Sequence, residues 1–151
     1  MNAYLDASVL LPTLIEESAS AGVDAYMLSG TREFLVSDFA AAEVASGLSR
    51  LVRMGLLEVS DALARLADFD VWRAAMSSPA DIHTSDIRLA AAYVRRFDLA
   101  LRAPDALHLA VAGRLDVPLV TLDRRLATAA RELGVAVEAP TTDRSPEEKN
   151  D

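Results

Sequence analysis

Four acidic residues stand where an acid needs explaining. Asp6 interrupts the apolar stretch YLDASVLL at residues 4–11, and Glu43 lies inside AAAEVASGL. Asp105 lies inside RAPDALHLAVAGRL, and Asp123 follows the apolar segment VPLVTL. In parallel α/β sheets, ligands bind beyond the carboxyl ends of the strands. Asp6 falls just past the first strand-like segment and Asp123 just past VPLVTL. If those strands are neighbours, both carboxylates meet a ligand at one edge. Each also precedes a helical segment, where aspartate is a favoured N-cap, and either one alone reads equally well as a cap.

Glu43 has less structural excuse. It lies about five residues into its helix, beyond the first turn where an acid favours the helix dipole. Its neighbours at three and four residues are Phe39, Ala40, Ser46 and Gly47, so the helix offers it no basic partner. It is off the centre of the Val44/Leu48/Leu51 face, and the small residues beside it leave room for an approaching group. The competing reading is a solvated surface glutamate. Asp105, after Pro104, suits the first turn of a helix on dipole grounds alone. His108, one turn on, reads as a satisfied core residue of a helix that is apolar nearly all round.

The elements that must position these residues alternate. Residues 2–5 read as a strand, 8–17 and 19–29 as helices, 33–37 as a strand, and 38–54 as a helix stopped by Gly55. A stripe of Leu63, Leu66, Phe69, Trp72 and Met76 predicts a helix over 60–77. That stripe reads as core, part of which is free to serve an interface. An extended piece is expected at 81–84, helices at 86–97 and 104–115, a strand at 117–122, a helix at 123–133 stopped by Gly134, and a last strand at 135–138. This order predicts an α/β fold. Its central, mostly parallel twisted sheet has about four to five strands, with helices on both faces. The polar tail PTTDRSPEEKND at 140–151 is expected to be disordered.

Composition narrows the class. The chain has 151 residues, about one domain, and 52% hydrophobic residues, enough for a substantial core. No apolar run reaches the length of a spanning helix, and the start lacks a basic signal-peptide region. Cysteine is absent, which excludes thiolate metal sites and disulfides and fits a reducing compartment, the cytoplasm by default. The net charge is −8, so any phosphate contact must come from local arginines rather than from overall charge. Lys149 is the only lysine; the other fourteen basic residues are arginine, the better residue for bidentate phosphate contacts.

With YLDASVLL, AAEVASGL, PDALHLAVA and LVTLDRRLATAARELGV in this order, the chain resembles the PIN domains, and specifically the VapC ribonuclease toxins of bacterial toxin–antitoxin pairs. The resemblance covers residues 4 to about 137. It implies one PIN-like nuclease domain over 1–139. It implies that Asp6, Glu43, Asp105 and Asp123 are the catalytic, metal-binding acids. Ser8 takes the place of the small hydroxyl residue after the first acid, and Thr121 that of the polar residue before the last. Leu126 stands where an aromatic is common.

Such acids cannot converge without compensation, because like charges raise one another's pKa. With no cysteine and only His83 and His108 at hand, the ligands are mainly oxygen, which selects Mg²⁺ or Mn²⁺ over zinc. Ser8 and Thr121 would contact the ligands or metal waters. The expected reaction is metal-dependent endonucleolytic hydrolysis of RNA, with Arg102, Arg124 and Arg125 the arginines nearest the site in sequence. The resemblance also implies a homodimer and a cognate VapB-like antitoxin that blocks the acidic pocket. A catalytically weak PIN-like binding module is a competing reading. A receiver-like phosphate-transfer domain is another. It needs a lysine near the site, which this chain has only in its tail, and an aspartate-based phosphatase would want an acid where Ser8 stands.

Overall fold

The computed structural model describes residues 1–141; residues 142–151, most of the polar tail expected to be disordered, lie outside the described residues. Five strands form one wholly parallel sheet: β1 (Asn2–Leu5), β2 (Glu33–Val36), β3 (Ser77–Pro79), β4 (Leu119–Val120) and β5 (Val137–Glu138), in the order β3-β2-β1-β4-β5. The helices are α1 (Ala7–Leu10), α2 (Ser20–Leu28), α3 (Asp38–Arg53), α4 (Val59–Met76), α5 (Thr84–Val94), α6 (Ala103–Leu115) and α7 (Arg124–Glu132). The chain winds outward from β1 to β3, then returns to place β4 on the other side of β1. The strand order therefore reverses between β1 and β4, the switch point where parallel sheets open a crevice.

The strands alternate strictly between two cores. Ala3, Leu5, Phe34, Val36 and Val120 face one side, with Val9, Val23, Ala40, Val44 and Phe69 of α1–α4. Tyr4, Leu35 and Leu119 face the other, with Ala90 of α5, Leu109 of α6 and Leu126 of α7. This period of two is what a pleated strand covered on both faces requires.

Several boundaries differ from the sequence reading. The helix expected over 8–17 is one short turn of α1 followed by a 3₁₀ turn at Leu11–Thr13, which accommodates Pro12. The extended piece expected at 81–84 lies instead at 77–79, directly after α4. That strand reads SSP and has no alternating apolar residues, because it is an edge strand; edges are where proline is tolerated. The helix expected from 86 begins at Thr84. The α4 stripe splits: Phe69 is buried and stacks on Trp72, whereas Leu63 and Met76 are exposed.

An ion pair between a buried carboxylate and a partly exposed guanidinium joins α5 to α6. Asp86 accepts from Arg114 Nε at 2.8 Å and Nη2 at 2.9 Å and from the His83 N–H at 2.8 Å. Among the described residues, no helix is long and apolar enough to cross a membrane.

Candidate active site

β1 and β4 are hydrogen-bonded neighbours, with Leu5 opposite Val120, so Asp6 and Asp123 do leave the sheet at the same edge. Asp6 is extended and caps α1, its Oδ1 accepting from the Ser8 N–H at 3.0 Å. Ser8 Oγ donates to the same oxygen at 2.6 Å, and Thr121 Oγ1 donates to Oδ2 at 2.6 Å. Each hydroxyl also accepts a backbone N–H from the exit of β4: Leu122 onto Ser8 at 2.9 Å, Asp123 onto Thr121 at 3.0 Å. The two strand ends are thus clipped together through one carboxylate. That carboxylate is only 4% exposed. Burial pushes its pKa up, and the hydrogen bonds from Ser8 and Thr121 offset this only in part.

Asp123 caps α7, accepting from the Arg125 and Leu126 N–H groups at 2.9 and 3.1 Å. For both aspartates the capping role and the position at the sheet edge therefore hold together. A cap is one way to fix a carboxylate's rotamer.

Glu43 lies in the second turn of α3, whose N-cap Ser37 accepts the Ala40 N–H at 3.0 Å. Glu43 Oε2 is 2.6 Å from Nε2 of His108. His108 is 2% exposed, and its Nδ1 is 2.8 Å from the Tyr4 hydroxyl, which is in turn 2.8 Å from Ser37 Oγ. Tyr4 and Phe39 pack against the imidazole, with ring centroids 5.6 and 5.4 Å away. His108 is thus the buried, satisfied residue the sequence suggests, but it also reaches the acidic site. Its spacing of three residues from Asp105, on one helix face, was the signal available. Asp105, in the first turn of α6, accepts from Arg102 Nε at 3.3 Å; Arg102 is well exposed, so this pair is weak.

All four acids line one open cavity of about 620 Å³. Ser8, Ser46, Gly47, His108, Arg50, Arg53 and Arg102 line it too. Gly47 is where α3 closes on the 3₁₀ turn: a Cβ there would stand 2.8 Å from a Leu11 methyl. Arg124 and Arg125 are exposed at the start of α7 and are not among the lining residues. Arg50 and Arg53, which the sequence reading did not single out, are. They follow Glu43 by seven and ten residues and so share its side of α3.

The donors suit a hard divalent cation by chemistry, being carboxylate oxygens with no thiolate. Among the described residues, no three His, Asp or Glu side chains are grouped closely enough to hold an ion between them. Carboxylate oxygens are the donor type that hard divalent cations take, with waters completing the set.

The family model for the PIN domain matches residues 3–132. Among solved structures, the chain is similar to VapC20 of Mycobacterium tuberculosis, described as a sarcin–ricin loop cleaving toxin. The identity is 16%, the TM-score 0.68, and the match covers 84% of this chain and 94% of that one. A toxin–antitoxin complex from Klebsiella pneumoniae matches at 15% identity and TM-score 0.65, over 92% of this chain and 98% of that one. FitAcB from Neisseria gonorrhoeae matches at 20% identity and TM-score 0.63, over 91% and 97%. At these identities the likeness is one of fold. No curated protein sequence matches.

Proposed function

From the premise that the chain belongs to the PIN domain family, we propose that it is a divalent-cation-dependent endoribonuclease, the toxin half of a toxin–antitoxin pair. The observation that carries this reading is the convergence of Asp6, Glu43, Asp105 and Asp123 from four separate segments on one cavity at the switch point of the sheet. Structures of similar fold described as a toxin that cleaves the sarcin–ricin loop and as toxin–antitoxin complexes support it.

In this reading the four carboxylates hold Mg²⁺ or Mn²⁺. A bound cation would offset charge on the phosphodiester oxygens and make water a better nucleophile. The protein's own groups do the rest. Ser8 and Thr121 fix the Asp6 carboxylate from both sides. Arg50, Arg53 and Arg102 line the cavity and receive phosphates of the RNA strand, with Arg124 and Arg125 further out along its path. A carboxylate oxygen of the set accepts the proton of the attacking water. An extended or helical antitoxin segment closes the cavity in the cell, and the toxin acts as a homodimer in the cytoplasm.

The test is cleavage of a pool of labelled cellular RNA, with Mn²⁺ or with chelator, by wild type and Asp6→Asn. Cation-dependent cutting by wild type alone is expected. Cutting that survives in Asp6→Asn refutes the site. A folded, partner-free wild type that binds Mn²⁺ and RNA but never cuts would instead be a PIN-like binding module. Expression in cells separates the toxin role: growth arrest relieved by the neighbouring small gene is expected, and a harmless wild type refutes it.

A further inference from the structure

The hydrogen bonds around His108 have a direction that can be deduced. Ser37 Oγ accepts the Ala40 N–H at 3.0 Å. Ser37 is fully buried, and among the described residues its own proton has one acceptor within reach, the Tyr4 oxygen 2.8 Å away. An unused buried hydroxyl proton is costly, so Ser37 donates to Tyr4. Tyr4 has a single proton, which a phenol keeps at neutral pH. With Ser37 as its donor, Tyr4 must give that proton to His108 Nδ1, 2.8 Å away. Nδ1 is then an acceptor, the ring's hydrogen is on Nε2, and Nε2 donates to Glu43 Oε2 at 2.6 Å.

The series runs from the N-terminus of α3 through β1 and α6 and returns to α3 one turn and a half later. Every member is buried or partly buried, so water cannot reverse a single link without leaving another unmade. Phe39 and Tyr4 also pack against the imidazole, each ring tilted 47° to it.

We infer that His108 is a positioning residue for Glu43: a relay from Ser37 through Tyr4 fixes it as the Nε2–H tautomer, which holds one carboxylate oxygen and sets the direction in which the other meets a divalent cation. This rests on the reading of Glu43 as one of the four site acids. It also explains why a histidine occupies a helix that is otherwise apolar nearly all round. Partners of this type around a ligating group tune cation affinity by about 10–100-fold.

Two amide substitutions divide the two ring nitrogens. Asparagine places an amide oxygen near the Nδ1 position, where it can accept from Tyr4, and glutamine places an amide NH₂ near the Nε2 position, where it can donate to Glu43. Mn²⁺ affinity is measured by titration calorimetry, with thermal unfolding run in parallel, for wild type, His108→Asn, His108→Gln, Tyr4→Phe and Glu43→Gln. The expected result is at least a tenfold loss of affinity in His108→Asn, recovery to within about threefold in His108→Gln, and an intermediate value in Tyr4→Phe. Nitrogen-15 NMR of the wild type should show Nε2 protonated and Nδ1 bare; this needs no variant to fold. A proton on Nδ1 overturns the inference. So do equal affinities in the Asn and Gln variants, whether both match wild type or both fall equally, since equal loss means that only packing matters. Glu43→Gln separates the two levels. If it binds Mn²⁺ as wild type does, the four-acid reading has failed. If it is weakened while folded His108→Asn is not, the positioning role alone is wrong.

Discussion

Asp6 and Asp86 are buried to nearly the same degree, 4% and 2% exposed, in the same chain, and their surroundings are opposite. Burial works to raise the Asp86 carboxyl. Two hydrogen bonds from the Arg114 guanidinium and one from the His83 N–H outweigh it and hold the group below the ordinary carboxylate range. Asp6 is given only hydroxyl and amide donors and no ion-pair partner among the described residues, and its pKa goes up. A carboxylate whose charge is matched inside the protein is a structural joint. Asp6, held in a fixed orientation with no side-chain countercharge, is where a bound cation would supply one in the function proposed above.

The sharpest way to break this contrast is to neutralise each acid in turn. Asp6→Asn should lower RNA cleavage by about 10³-fold or more, the scale of losing a group that acts in the transition state. Asp86→Asn should leave cleavage per folded molecule within about threefold of wild type, because Asp86 does not line the cavity. A single-turnover assay at saturating Mn²⁺ reads both. If the two variants lose activity equally, burial and not charge matching is what they share.

Stability should run the other way. Asp86→Asn leaves Arg114 without its carboxylate. Arg114 keeps about a quarter of its side chain in water, so the cost should be roughly 3 kcal/mol, at the low end for a broken buried pair. For a chain of this length that is a fall in the melting temperature of about 6–12 °C by differential scanning calorimetry.

The same contrast marks what the sequence could reveal. Asp6 and Asp123 were legible because their signals are local: an apolar strand ends, an acid follows, and a helix begins. β1, β2 and α3 were legible for the same reason. Glu43 stood out by lacking a local partner. Its partner His108 lies 65 positions away, and no periodicity on either helix pairs them. The Asp86–Arg114 joint was invisible for the same reason, being separated by 28 positions and a loop. β3 was misplaced because an edge strand reading SSP carries neither apolar alternation nor β-branched residues. Arg50 and Arg53 needed only the step of extending Glu43's face two and three turns along α3.

Cation binding gives a smaller but more selective effect. A ligand at a hundred times its dissociation constant stabilises the folded state by about 2.7 kcal/mol. Saturating Mn²⁺ should therefore raise the melting temperature of wild type by about 5–11 °C. Asp86→Asn should gain the same increment from its lower starting point, and Asp6→Asn little or none. An equal increment in all three proteins would place the cation elsewhere.

The smallest effect distinguishes the two acids by sign alone. In chelator, the stability contributed by Asp86, whose folded pKa is lowered, is present above the ordinary carboxyl pKa of about 4. It is lost as pH falls through the folded value below that. Asp6 has a raised folded pKa, so its favourable contribution is present below about pH 4 and is lost as pH rises through the folded value above it. Wild type should therefore lose stability relative to Asp6→Asn as pH rises from about 4 towards neutrality. Urea midpoints taken across that range in chelator check it. A wild type that gains on Asp6→Asn as pH rises would mean that Asp6 already has its countercharge within the protein and needs no cation to supply it.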